Sequence, residues 1–187
     1  IDSIPDSFLE TGGLKIYTYL DPEAQAILET AINNNITNKK IQVASIIMEP
    51  SSGHIIALTG GRDYSISKFN RAMNAKRQKR STLKPLLYYA ALENGFTSST
   101  TFTSEKTTFV FSENKTYSPS NFNNKYGNKS ISMPAALAYS DNIYAVKTHL
   151  FLGEETLVNL MKRIGISTDI QAIPSLALGS EEMKLLD

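Results

Sequence analysis

The sequence predicts a single domain of mixed α and β content. Three observations predict it. Two β-branched apolar runs, residues 43–48 and 55–58, flank the turn-forming stretch Glu49-Pro50-Ser51-Ser52-Gly53. Residues 82–92 read as a helix that is apolar on nearly all sides. Residues 154–164 place Leu157, Leu160, Met161 and Ile164 on one side of a second, amphipathic helix. The chain has 187 residues, 41% hydrophobic and 20% charged, enough for one domain with a sizeable core and typical of ordinary globular proteins.

Taken in order, residues 14–20 alternate like a half-buried strand. Asp21-Pro22-Glu23 then supplies an N-cap, a first-turn proline and early negative charge, so a helix starts there and fades at Asn33-Asn34-Asn35. The hairpin over 43–58 follows, closed by Gly60-Gly61, and a polar loop runs to about Arg80. The apolar helix from Thr82 stops at Asn94-Gly95 and should be central; Tyr88 and Tyr89 read as core. Residues 96–130 are rich in Ser, Thr, Asn and Lys, with short β-like pieces such as 107–111. Residues 133–139 form a short helix, with Ser132 as cap and Pro134 in its first turn. A helix through about Leu152 comes after Ser140-Asp141-Asn142, and Gly165 ends the amphipathic helix that follows.

A net charge of +1 gives no reason to expect nucleic acid or a membrane surface as partner. The local run Lys76-Arg77, Lys79-Arg80 reads as a solvated loop. There is no cysteine, so disulfides and thiolate metal sites are excluded, which suits an oxidising compartment. His54 and His149 are isolated from any grouping at metal-ligand spacing, and neither metal nor cofactor is expected. The apolar run 86–92 is too short to span a bilayer. The chain begins Ile1-Asp2-Ser3 without a methionine, which leaves room for an upstream targeting or anchor segment.

Three Ser-x-x-Lys spacings occur: Ser65/Lys68, Ser81/Lys84 and Ser112/Lys115. A serine hydroxyl becomes a useful nucleophile only when held rigidly beside a base. Residues three apart on a helix share a face, so Ser81 and Lys84 can come within hydrogen-bond reach. Burial at the start of an apolar helix lowers a lysine pKa, and the neighbouring basic residues push the same way. Unpaired N–H groups at the helix start, Ser81's own included, can face an oxyanion. Ser65 lies in a polar loop and Ser112 at a hairpin tip, where neither lysine is desolvated. The alternative for Ser81 is an N-capping serine beside a lysine whose head reaches solvent. Ser140-Asp141-Asn142 offers a hydroxyl and a carboxamide on one short loop, able to relay a proton and grip an amide. Ser112-Glu113-Asn114 shares its spacing but lacks the flanking helices.

Ser-x-x-Lys followed by Ser-x-Asn resembles the signature of penicillin-binding proteins and serine β-lactamases. Further segments continue the match in order: 13–18 with 20–25, 55–64 with 69–72, 117–122, 138–142 and 174–179. Over essentially all 187 residues the chain resembles the transpeptidase domain of class A, bifunctional penicillin-binding proteins. The resemblance implies an α+β fold of the serine β-lactamase/D,D-peptidase kind, an antiparallel sheet flanked by helices with an all-helical lobe. Residues 1–20 are then the entry from a linker. Ser81 is the acylated nucleophile, Lys84 its activating base, Ser140 the proton relay to the leaving amine and Asn142 the binder of the substrate's peptide carbonyl.

The implied activity is cross-linking of peptidoglycan stem peptides by a D-Ala-D-Ala transpeptidase/carboxypeptidase, with β-lactams as covalent inhibitors. The parent protein would also be a peptidoglycan glycosyltransferase using a lipid-linked precursor, anchored on the extracytoplasmic face of the cell membrane. Two departures stand out. Lys79-Arg80 replace the Pro-Gly that usually precedes the active serine, and the third motif, Lys-Thr-Gly, is absent. Lys106-Thr107-Thr108 and Lys147-Thr148-His149 are near misses. The expectation is an incomplete domain, the third-motif strand being supplied by a continuation beyond residue 187 or by a second polypeptide. A β-lactam-sensing module that acylates once is a rival reading. A β-lactamase is weaker, because the N-terminal 60 residues look like the synthase. Tyr126-Gly127 and their neighbours read as a loop near the site without assignable chemistry.

Overall fold

The computed structural model describes residues 13, 15–111 and 114–187. The chain groups into two compact units, one ending at Ala72 and one running from Met73 to Asp187. In the first, helix α1 (Pro22–Asn35) starts where the sequence places it, the Asp21 carboxylate accepting from Glu23 N (2.8 Å) and Ala24 N (3.2 Å). Strands β1 (Ser45–Met48) and β2 (Ile55–Thr59) pair antiparallel, Ser45 opposite Thr59 and Ile47 opposite Ala57. Gln25 ties α1 to β2 with both ends of its amide, donating to Leu58 O (3.1 Å) and accepting from Leu58 N (2.9 Å).

The strand expected over 14–20 is not formed. Leu14 lies outside the described residues, and Lys15 to Leu20 carry no regular structure. Alternation supplies a face, but a strand also needs a ladder partner, and none pairs here among the described residues. Ile16, Tyr17, Tyr19 and Leu20 stay exposed.

The helical turn α2 (Arg71–Asn74) leads into the second unit. There β3 (Arg77–Gln78), a 3₁₀ turn (Arg80–Leu83) and α3 (Lys84–Glu93) run into one another. Next come β4 (Thr101–Thr103), β5 (Phe109–Val110), β6 (Thr116–Tyr117) and β7 (Ser130–Ser132). Helices α4 (Met133–Ala138), α5 (Asn142–Leu152) and α6 (Glu154–Arg163), a 3₁₀ turn (Pro174–Leu178) and β8 (Glu182–Met183) complete it. Among the described residues all strand pairing is antiparallel, in four separate two-stranded ladders: β1 with β2, β3 with β8, β4 with β7 and β5 with β6.

The core of this unit is helical. Leu87 and Tyr88 of α3, Tyr144, Ala145 and Val146 of α5, and Leu157 and Met161 of α6 are buried together with Leu176. Tyr88 meets Tyr144 edge to face, ring centroids 5.9 Å apart, and Tyr144 Oη donates to Thr100 O (2.8 Å). Truncating a side chain such as Leu87 would remove about 2–5 kcal/mol. Two expected core positions face solvent: Tyr89 and Ile164 are each 49% exposed. A ten-residue helix packed on one side leaves part of its surface to water whatever its composition, and Tyr89 lies on that part. Ile164 follows the last turn of α6. Ser132 occupies the cap position of α4, but its side chain makes no capping bond.

Candidate active site

The backbone before Ser81 is set by contacts from far along the chain. Arg80 adopts φ +51°, the left-handed region that costs a residue with a β-carbon about 1–2 kcal/mol. Its N–H donates to Gly179 O (3.0 Å). Gly179 is itself at φ +65°, and a β-carbon there would fall 2.2 Å from Arg80 O and 2.4 Å from Arg80 N. On the other side, the ladder of Arg77 with Met183 and a bond from Lys79 Nζ to Lys184 O (2.5 Å) hold the approach strand. This gives the Lys79-Arg80 departure a physical reading: the position where the resemblance implies glycine is left-handed in this chain, and neighbours enforce it on an arginine.

Ser81 is exposed in the 3₁₀ turn, while Lys84, three residues on, opens α3 at only 1% exposure. Lys84 Nζ donates to Ser140 O (2.6 Å), Ser140 Oγ (2.9 Å) and Asn142 Oδ1 (2.6 Å). Three of the four residues singled out by the sequence therefore meet at one buried nitrogen. The expected Ser81–Lys84 hydrogen bond is not made: no hydrogen bond engages the Ser81 hydroxyl among the described residues. The reason is competition, since three acceptors converge on Nζ from the 140–142 turn. Burial brings the Lys84 pKa down to about 8, with the Asp141 carboxylate pulling the other way. The charge that acts on Lys84 is thus acidic, and the expected help from neighbouring basic residues is not seen. A neutral amine keeps the same three partners by donating two hydrogens and accepting one from the Ser140 hydroxyl.

Ser140 also sits in the left-handed region, at φ +52°, and this lets the turn reverse between α4 and α5. Asp141 is buried and caps α5, its Oδ1 accepting from Tyr144 N (2.8 Å). Its Oδ2 accepts from Ser104 Oγ (2.5 Å) and Asn121 Nδ2 (2.7 Å). Asn121 Oδ1 accepts in turn from Asn142 N (2.7 Å), and Asn142 Nδ2 donates to Ser120 O (2.7 Å). The sequence reading missed Ser104, and met Asn121 only inside a family-like segment. A buried polar residue whose partner lies 20 positions away, as for Asn121, or 37, as for Ser104, leaves no local pattern; the one signal was Asn121 within Ser118-Pro119-Ser120-Asn121.

Beside Asp141 a cavity of about 530 Å³ opens, lined among others by Asn121, Phe122, Lys125, Tyr126 and Tyr139. The loop around Tyr126-Gly127 thus forms part of its wall. The rival serines fare differently. Ser65 donates to Asp63 Oδ1 (2.6 Å) in an exposed loop, and Ser112 and Glu113 lie outside the described residues. His149 is buried against Ile173 O (3.1 Å) and His54 stacks on Tyr19.

The model of the penicillin-binding protein transpeptidase domain matches residues 43–177. The chain belongs to that family. Penicillin-binding protein 2D of Bacillus subtilis is 49% identical over 96% of this chain and 26% of the relative. Penicillin-binding protein 1B of Vibrio cholerae is 32% identical over 96% of the chain and 24% of the relative. The chain therefore spans about a quarter of the length of these relatives. The crystal structure of penicillin-binding protein 1A from Haemophilus influenzae superposes with a TM-score of 0.73 at 30% identity, over 78% of this chain and 22% of that one. PonA1 of Mycobacterium tuberculosis, in complex with penicillin V, reaches a TM-score of 0.80 over all of this chain and 52% of that one. At 21% identity it speaks for the fold alone, and that fold is the α+β class expected from the sequence.

Proposed function

We propose that this chain carries the acylating centre of a peptidoglycan D,D-transpeptidase that β-lactams inhibit. The observation that carries the reading is Lys84: a buried amine with a pKa near 8, three residues from Ser81 and held between Ser140 and Asn142. In the first half-reaction Ser81 Oγ bonds to the carbonyl carbon of the penultimate D-Ala and its proton passes to neutral Lys84. The tetrahedral intermediate collapses, the C–N bond breaks, and the departing D-Ala amine takes a proton through Ser140. In the second half, an amine of a neighbouring strand attacks the acyl carbon, gives its proton back through Ser140 and Lys84, and frees Ser81. A β-lactam follows the first half, but its ring-opened amine stays tethered.

Asn142 suits the role of gripping the substrate amide, because its Nδ2 keeps a second hydrogen after bonding Ser120 O. A Lys-Thr-Gly-type strand completes the site from a continuation of this sequence or a second polypeptide. In this reading the whole protein works at the extracytoplasmic membrane face and carries a glycosyltransferase domain acting on lipid-linked precursor; similarity to proteins named penicillin-binding protein 1A, 1B and 2D supports its membership of the penicillin-binding proteins.

The test is penicillin labelling of the full-length enzyme with peptide mapping, followed by turnover of a stem-peptide donor with an amine acceptor. Label on Ser81, lost in Ser81→Ala, together with amide-forming turnover is the expected result. Label elsewhere overturns the site; labelling without turnover on the donor assigns the protein to the sensors.

A further inference from the structure

Two side chains donate to the same oxygen of Asp141, and only one of them also touches the residue that follows it. Ser104 and Asn121 both donate to Oδ2, yet Asn121 Oδ1 additionally receives the main-chain N–H of Asn142 (2.7 Å) and, more weakly, that of Ile143 (3.4 Å). The carbonyl of the preceding residue, Ser120, takes the Asn142 side chain. One dipeptide thus grips Asn142 by backbone and by carboxamide. The far side of that carboxamide receives Lys84 Nζ.

Asn121 is 9% exposed and makes no bond to Ser81 or Lys84. Its influence on chemistry must pass through Asn142 and Asp141. An amide fits this place because it presents a donor and an acceptor at once: Asp141 needs the donor, and the first turn of α5 needs the acceptor.

We propose that Asn121 is a positioning residue of the acylation step, whose carboxamide sets where Asn142 and Asp141 stand relative to Lys84. This rests on the transpeptidase reading above. Ser104 supplies the internal control, since it shares the Asp141 contact but not the Asn142 one. Displacing a reacting group by about an ångström can lower a rate by about 10²-fold. The effect of removing Asn121 should therefore exceed the effect of removing Ser104 on rate; both lose a bond to the same carboxylate, and Asn121 loses in addition the bonds it accepts from Asn142 N and Ile143 N.

The experiment measures penicillin acylation rates and thermal midpoints of the full-length enzyme and of Asn121→Ala and Ser104→Ala. Expected are a larger fall in midpoint in Asn121→Ala than in Ser104→Ala, with acylation per folded molecule reduced about 10- to 100-fold in Asn121→Ala and less than about threefold in Ser104→Ala. Equal rate losses in the two variants, or a parental rate in Asn121→Ala, overturn the proposal.

If Asn121→Ala does not fold, Asn121→Asp decides. A neutral carboxylic acid can donate to Asp141 and accept from Asn142 N as the amide does, whereas a carboxylate beside Asp141 repels it. The groups facing residue 121 are Asp141 on its turn and, around the shared cavity, Lys125, Lys129, Tyr126 and Tyr139. Beyond Asn142 stands Lys84, with Tyr88 on its helix and Tyr144 on α5. Because Lys84 titrates in the parent too, the readout is the ratio of variant to parental rate. That ratio should climb at least about tenfold as pH falls from 8 to 5.5. A ratio flat in pH overturns the proposal. A parental protein that fails to acylate at Ser81 refutes the transpeptidase reading instead, so the two failures are distinguishable.

Discussion

The pH dependence of acylation follows from one nitrogen. On the reading proposed above only neutral Lys84 takes the Ser81 proton, and burial sets its pKa at about 8, below the 10.5 of a free lysine. The base is therefore present above pH 8 and lost as pH falls. At that value the neutral fraction is roughly 1% at pH 6, 9% at pH 7 and 50% at pH 8. The second-order rate of β-lactam acylation should rise about 50-fold from pH 6 to 8 and about twofold beyond. The matching perturbation is Lys84→Arg. A guanidinium does not lose its proton, and it forfeits the general base, about 10²- to 10⁴-fold in rate. Single-turnover labelling with a fluorescent penicillin across pH 5.5–9.5 reads both. A profile flat between pH 6 and 8, or a Lys84→Arg variant labelled at near-parental rate, would refute the assignment of Lys84 as base.

Gly179→Ala should destabilise the protein by about 3 kcal/mol and abolish labelling, because its β-carbon would drive into the Arg80 backbone; urea unfolding and penicillin binding check it. Arg80→Gly should do the reverse for stability, raising it by about 1 kcal/mol through relief of the left-handed backbone, seen as a higher urea midpoint with labelling retained. His149 is buried and its pKa lies below the ordinary value because burial disfavours the imidazolium. The unfolded chain then takes up the proton first, so stability is held above about pH 6.5 and declines as pH falls below it. His149→Phe should flatten that decline in thermal scans between pH 7.5 and 5.

The helices and the β1–β2 hairpin were legible because their signals are local. Asp21-Pro22 caps α1, Glu49 to Gly53 turns the hairpin, and leucine spacing marks α6. The meeting of Lys84 with Ser140 and Asn142 was legible as motif order but not as geometry. Sequence spacing pairs Ser81 with Lys84, yet three acceptors from 56 and 58 positions away hold the amine instead. The strand expected over 14–20 failed for the same kind of reason, since alternation says nothing about whether a partner exists. Ser104 and Asn121 escaped because a buried network declares itself only once its distant parts are folded together.

The contact between Gly179 and Arg80 also bears on when the site comes into being. Lys79 and Lys184 are 105 positions apart, and the turn that presents Ser81 is shaped only once the segment around 179–184 has docked on it. Closing so long a loop is entropically demanding, and such contacts tend to form late. During synthesis at about 5–20 residues per second, the serine is made several seconds before the segment that fixes its backbone. On the reading proposed above, reactivity thus arrives as one of the last steps of maturation, with the docking of the same segment whose Leu176 and Met183 complete the helical core.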